Sequence, residues 1–425
     1  MRNPLPVVNY GQVVDGLGGH RGVEQLSAHR DADDLEIATA ATTIHQALEA
    51  LKAAEVHADV MSSPDDRVAA ALQTALAEHA QALGGPAGVV EGVLAVKFDR
   101  HDLGWMRAIL GAIKERLNIG RFDFLPSPTA ATSLPDTTRV ALLGDWGTNL
   151  YGAPHCADAI QSDGQFGAVV HLGDVYYSGS ATEIHERFLA EWPFVPGALN
   201  RACNSNHEMY SGGKPYAEIT LPRFHQDSSL FWLENTHWVL LGLDSAYDEG
   251  RLGPLQVQWV TRTALHARAA GKQILLFSHH PPWRTDTGET LPLTTPIVHV
   301  LERGLVAGWY WGHEHLCALF DPHPIWHMWG SCIAHSGFPY VRPDVASSGW
   351  QQAGEVVADD STWHRIPMRG QTPAGLVLDG PNRWVPGHES DFGPNGYAVL
   401  ELDGPHLREL VLSPDGTVVH DRTLA

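Results

Sequence analysis

The chain has 425 residues, enough for two or three domains, and at 44% hydrophobic and 18% charged it can bury a sizeable core. Its formal net charge of −21 argues against nucleic-acid and anionic-membrane surfaces, which call for basic patches, so neither partner is expected. A small phosphorylated substrate stays open, because bound metal ions invert the local sign.

The N-terminal stretch MRNPLPVVNYGQVVDG has no basic segment leading into a long apolar one, and no apolar run approaches the roughly 18 residues of a membrane span. Cys156, Cys203, Cys317 and Cys332 form no C-x-x-C pair, so free thiols and a cytoplasmic location are expected. Residues 1–34 carry no pattern beyond an irregular one. Leu35–Leu51 and Arg67–Leu83 place Ala and Leu at helical spacing, with Ser63 or Asp65 available to cap the second. Val89–Phe98 reads as a strand and Leu103–Leu117 as an amphipathic helix, with Asp99, His101 and Asp102 in a solvated turn between them. Leu125–Thr138, LPSPTAATSLPDTT, sets prolines among Ser and Thr and reads as a linker. Residues 1–124 are therefore expected to be a mainly helical, separable region of unknown role, with self-association as one use.

From Arg139 the character changes. Apolar runs at Val140–Leu143, Ala168–Leu172, Trp238–Leu243, Ile274–Phe277 and Val306–Trp311 alternate with helical stretches at His155–Gln161, Ala181–Trp192, Leu255–Ala270 and Pro296–Leu305. The alternation predicts an α/β domain over 139–425 with largely buried strands. Residues 337–395, rich in Gly, Pro and Trp, read as an irregular insertion. Tyr397–Leu402, Leu407–Leu412 and Thr417–His420 read as hairpins, turning at Pro414-Asp415-Gly416.

Five polar clusters stand out: Gly144-Asp145-Trp146-Gly147, Gly173-Asp174-Val175-Tyr176-Tyr177, Asn206-His207-Glu208, Ser278-His279-His280-Pro281 and Gly312-His313-Glu314-His315. At least four follow strand-like runs, so they can meet on one rim of a sheet. Carboxylates bridge hard cations and imidazole suits Zn, Fe and Mn, so the set suits a metal pair that activates water and clamps a phosphoryl group. In an extended backbone His313 and His315 point to the same side. The sequence holds no H-E-x-x-H, no G-x-S-x-G and no G-x-x-x-x-G-K-[ST].

In these five motifs the sequence resembles the calcineurin-like metallophosphoesterases, and more narrowly the purple acid phosphatases, which carry Tyr three residues after the second Asp. The resemblance covers about Val140–Phe320. It implies a four-layer fold of two mixed β-sheets flanked by helices, with ligands on loops at one edge. It also implies a first metal held by Asp145, Tyr177 and His315, Asp174 bridging both ions, and a second metal held by Asn206, His279 and His313. His207 would orient the phosphate or protonate the leaving oxygen. Fe(III), bound by a Tyr177 phenolate that gives visible colour, is implied for the first site, with Fe(II), Zn(II) or Mn(II) in the second.

Two departures matter. Ser205 stands where the family has Gly, which strains the Asn206 loop if that position needs a positive φ. Gly288 and Glu289 stand where purple acid phosphatases place a further His, and His280 is available to compensate. The H-x-P pattern fits His279 as ligand, although His280-Pro281-Pro282 fits it too. The function expected is hydrolysis of a small phosphate monoester by metal-bound hydroxide. The alternatives are a phosphodiesterase on nucleotide or lipid-derived diesters and a vestigial esterase serving as a binding module.

Overall fold

The computed structural model describes residues 5–28, 35–82, 120–342, 347–353, 357 and 360–425. The expected strand at 89–98, helix at 103–117 and turn residues Asp99, His101 and Asp102 lie outside them. The chain divides into two compact units, one of Met1–Phe122 with Val175–Arg187 and His207–Pro215, the other of Asp123–Asp174, Phe188–Asn206 and Tyr216–Ala425. Two of the motif segments group with the N-terminal helices.

In the first unit, α1 (Tyr10–Gly16) and α2 (Gly19–Ala28) replace the irregular stretch expected over 1–34, while α3 (Leu35–Ala54) and α4 (Arg67–Ala82) fall where helices were expected. α4 is capped not by Ser63 or Asp65 but by Asp66, whose carboxylate accepts the Ala69 N–H at 2.8 Å. Val8, Val13, Val14, Ile44, Leu48, Leu72 and Leu76 are buried. Buried Asn9 ties the segment together by donating to Val60 O at 2.7 Å and accepting the Ser62 N–H at 3.0 Å. Four isolated amphipathic helices of this length are marginal in water, and packing of this kind is what stabilises them.

The second unit carries the strands. β1 (Thr132–Ser133), β2 (Thr137–Leu143), β3 (Ala168–His171), β4 (Leu199–Ala202), β5 (Phe231–Glu234), β6 (Trp238–Gly242), β7 (Gln273–Ser278) and β8 (Gly308–Trp311) are followed by β9 (Cys317–Phe320), β10 (Trp329–Ile333), β11 (Gln351–Gln352), β12 (Thr362–Ile366), β13 (Gly375–Asp379), β14 (Tyr397–Asp403), β15 (His406–Leu412) and β16 (Val418–Thr423). Among the described residues they form a ten-stranded sheet, ordered β1-β5-β6-β7-β8-β10-β9-β13-β12-β11, and a six-stranded sheet, β16-β15-β14-β2-β3-β4. β2, β3 and β4 run parallel, as do β6, β7, β8 and β10; the hairpin partners run antiparallel, so both sheets are mixed.

Two readings of the sequence need correction here. The stretch 125–138 is not a free linker, because β1 pairs with β5 and β2 begins at Thr137. Residues 337–395 are not irregular throughout, because β11, β12 and β13 extend the large sheet. Their apolar residues are sparse and broken by Gly and Pro, so period-2 patterning was too short to read.

The apolar face shared by the two sheets holds Val140, Leu142, Val170, Leu240, Leu275, Phe277, Leu400 and Val411. The other face of the large sheet is covered by α5 (Pro254–Ala269), through Trp259, Val260 and Ala264. Parallel strands buried on both faces read as continuous apolar runs, which is why β3, β6 and β8 have every residue buried. Strands that end together on one side of each sheet deliver their following loops to a common rim, where open α/β sheets place ligands.

Candidate metal centre

Asp145 lies just past the end of β2, Asp174 three residues past β3, His279 directly after β7 and His313 two residues after β8. The turns are tight. Asp145, Asp174, His313 and His315 have φ of 54°, 78°, 77° and 57°, the left-handed region that non-glycine residues seldom adopt. Glycines make room beside them. A Cβ on Gly173, itself at φ 105°, would come within 2.6 Å of His279 Nδ1, and one on Gly312 within 2.8 Å of Asp145 Oδ2. Ser205 is not among the positive-φ residues, so the strain considered for the Asn206 loop does not arise.

The turns bring six of the predicted ligands together. Coordinating atoms of Asp145, Asp174 and His315 lie within 4.8 Å of one another, and so do those of His279, His280 and His313. Asp174 joins the groups, with Oδ1 3.3 Å from His279 Nε2. Asn206 Oδ1 is 2.8 Å from His279 Nε2, and His313 Nδ1 is 3.1 Å from it. His315 Nε2 approaches Asp145 Oδ1 at 3.4 Å, while the His313 main-chain N–H donates to Asp145 Oδ2 at 2.8 Å. Asp145, Asp174 and His279 are almost wholly buried.

The donor set fits metal ions. His279 Nδ1 faces the Leu172 carbonyl at 2.9 Å, so its hydrogen sits there and Nε2 turns a lone pair toward the oxygens of Asn206 and Asp174. Lone pairs facing one another, beside two buried carboxylates, are unfavourable until a cation lies among them. Nitrogen and oxygen ligands in this mixture suit Zn, Fe or Mn.

His280 behaves differently from its neighbour. Ser245 Oγ accepts the His280 main-chain N–H at 3.0 Å and lies 2.9 Å from His280 Nδ1. Ser245 thus anchors His280 both at its main chain and at ring Nδ1. Enclosure of the ring, reinforced by His313 and His279, holds the His280 pKa well below the ordinary histidine value. His279 turns Nε2 to Asn206 and Asp174, while His280, in the same three-histidine group, is tied through Nδ1 to Ser245.

The other two predicted residues lie in the first unit. The Tyr177 hydroxyl accepts the Val8 N–H at 2.8 Å, and the Arg187 guanidinium stands 5.0 Å from the ring centre. Burial raises the Tyr177 pKa above the ordinary phenol value, which disfavours the phenolate expected of a metal ligand. Glu183 fixes the loop by accepting the N–H groups of Tyr177 at 2.6 Å and Ser178 and Ser180 at 3.0 Å. His207 is buried, its Nδ1 2.6 Å from Tyr177 O and its ring against those of Tyr176 and Tyr210.

Sequence reasoning missed Ser245 and the task of Glu314. Asp244-Ser245 follows the run Trp238–Leu243 just as the other clusters follow theirs, so the signal was present. Asp244 is held by Asn204 Nδ2 at 3.1 Å and its own N–H donates to Gln256 at 2.8 Å, which sets the loop that carries Ser245. Glu314 accepts Thr285 N–H at 2.8 Å, Thr285 Oγ1–H at 2.6 Å and Trp311 Nε1–H at 3.2 Å, which links the loop of His313 and His315 to that of His279 and His280.

Residues 138–317 match the family model described as calcineurin-like phosphoesterase, and the chain therefore carries a domain of that family. Among solved structures it is similar to purple acid phosphatase PPD1 from yellow lupin (Lupinus luteus) seeds, at 13% identity over 70% of this chain and 55% of that one, with a TM-score of 0.49. It is also similar to GAP50, the anchor in the inner membrane complex of Plasmodium, at 12% identity over 68% and 88% of the two chains and a TM-score of 0.45. A dimetal phosphatase from Danio rerio shares 12% identity over 68% of this chain and 98% of its own, with a TM-score of 0.42. The match spans about half the length of the lupin enzyme. No curated protein matches the sequence. Among the described residues no helix is long and apolar enough to cross a membrane.

Proposed function

We propose that this chain hydrolyses phosphate monoesters at a dinuclear metal centre. The observation that carries the reading is the gathering at strand ends of Asp145, Asp174 and His315 on one side and of His279, His313 and Asn206 on the other, joined through Asp174. Asp145, Asp174 and His315 would hold one ion; Asp174, Asn206, His279 and His313 would hold the other. A metal pair supplies a more acidic water and positive charge for the phosphoryl oxygens. The chain's own residues do the rest. The His313 N–H orients Asp145, the Leu172 carbonyl sets the His279 tautomer, and the Glu314 carboxylate ties the two histidine loops. His280 donates to an oxygen of the bound phosphate, holding it for in-line displacement.

His207, joined to Asn206 by a peptide bond, stays a candidate for protonating the leaving oxygen. Metal identity belongs to this proposal too. With the Tyr177 hydroxyl engaged by Val8, support shifts from a coloured Fe(III) site to Zn(II), Mn(II) or Fe(II) in both positions. A cytoplasmic location is inferred from four cysteines that are all free and buried.

The test is turnover of p-nitrophenyl phosphate against bis(p-nitrophenyl) phosphate after loading with Zn, Mn or Fe. Higher kcat/KM on the monoester supports the proposal. Higher kcat/KM on the diester would make the enzyme a phosphodiesterase. Turnover of neither, with two metals bound, would refute the hydrolase reading.

A further inference from the structure

A cavity of about 390 Å³ opens beside the ligand groups, within the range of small-molecule sites. Its inner end is His280 and His313, and its walls include Arg284, Glu314, Leu316 and Trp350. Part of the wall comes from the stretch after β10, which sequence reading left as an irregular insertion. Arg369 holds the two sides together: its guanidinium reaches the Asp286 carbonyl and donates to the Ser348 carbonyl at 3.5 Å. Thr372 adds a hydrogen bond of 2.6 Å to the Gly288 carbonyl.

The electrostatics of this cavity are restrictive. Among the described lining residues the cationic side chain is Arg284, and it is spent on Asp286, with Nε–Oδ1 at 3.1 Å and Nη2–Oδ2 at 3.3 Å. Glu314 adds a negative charge. A second phosphate or a carboxylate would therefore enter without a counter-charge, at a desolvation cost. What the cavity offers instead is apolar surface from Pro281, Leu291 and Leu316 with the indole of Trp350. Trp350 Nε1 is buried with no acceptor among the described residues, so the indole meets the cavity with its apolar ring.

We propose that this cavity receives the leaving group of the substrate and selects an uncharged, planar aromatic one, stacked on Trp350. This rests on the phosphoesterase reading above. A nucleoside has that chemistry; a polyphosphate or a bare sugar does not.

The test compares adenosine 5′-phosphate with ribose 5-phosphate, which lose the same primary alcohol and differ only in the base. The metal-loaded full chain should favour the nucleotide by about ten-fold in kcat/KM, through KM, the order given by stacking one base on an aromatic ring. Trp350→Ala should collapse that preference and Trp350→Phe should keep most of it. Pyrophosphate should be a poor substrate. Calorimetric titration with adenosine decides the pocket without turnover: binding that weakens about ten-fold in Trp350→Ala supports it, even if no phosphate is released and the hydrolase reading falls. No adenosine binding, or a nucleotide preference untouched by Trp350→Ala, would overturn the proposal.

Discussion

Ser245 Oγ accepts the main-chain N–H of His280 at 3.0 Å and lies 2.9 Å from the same residue's Nδ1. One hydroxyl thereby anchors the His280 backbone and ring together. His280→Ala should keep the full metal content and lower kcat by about 10²-fold, the scale of a lost proton donor or charge-stabilising group. His279→Ala should lose metal. Ser245→Ala should keep metal and lower kcat by roughly ten-fold, because the ring loses its anchor. Metal analysis beside steady-state kinetics separates the three, and metal loss in His280→Ala would reverse the assignment.

Asp174 connects the two ligand groups, its Oδ1 lying 3.3 Å from His279 Nε2. Asp174→Asn keeps the shape and removes the charge, so it should abolish binding of at least one ion and nearly all turnover while the circular dichroism spectrum stays native. Two metals per chain with normal turnover would dismiss the centre as drawn.

Removal of metal should lower stability. Two buried carboxylates and four left-handed ligand residues are costly without a cation, at about 1–3 kcal/mol for each such backbone conformation. Linkage makes any ion that binds only the native state stabilising. Chelation should lower the melting temperature by roughly 10 °C, reversibly on adding Zn or Mn, and the shift should vanish in Asp174→Asn.

Tyr177→Phe should leave metal content and the visible spectrum unchanged. Its cost falls on the first unit, where the Val8 N–H loses its acceptor, at about 1–3 kcal/mol for a buried donor left unpaired. Denaturant unfolding would detect that loss. A change in metal stoichiometry would instead return the phenol to the centre.

Acid should weaken the fold through His335. Burial drives its pKa down to about 3 from 6.5, so between those values the unfolded chain binds a proton that the folded chain refuses. Stability therefore rises with pH across that window and is lost as pH falls through it. His335→Leu should flatten the acid limb by up to about 1.4 kcal/mol per pH unit.

The parallel strands and five motif clusters were legible because each is local: an apolar run, then a turn carrying an Asp or His. Asp145, Asp174, Asn206, His279, His313 and His315 come together as the motifs suggested. The Tyr177 hydroxyl meets Val8, 169 residues away, and no spacing rule reports such a contact. Ser245 follows its apolar run as the other clusters do, but its contact with His280 exists only once β6 and β7 pair. α1 and α2 escaped notice because their short apolar faces are interrupted by glycines, including Gly16 against Leu76.

β2 carries the first motif yet sits in the middle of its sheet, between β3 and β14. β3 leaves the ribosome soon after it, but β14 follows only after about 250 further residues, which at bacterial or eukaryotic synthesis rates means a wait on the order of tens of seconds. Throughout that interval an apolar strand edge stands open, an invitation to the wrong partner. The two-sheet unit therefore cannot close as it emerges. Its first half needs shelter until its last hairpin is made, and a message cut short anywhere before Tyr397 yields a chain with an open edge rather than a smaller closed fold.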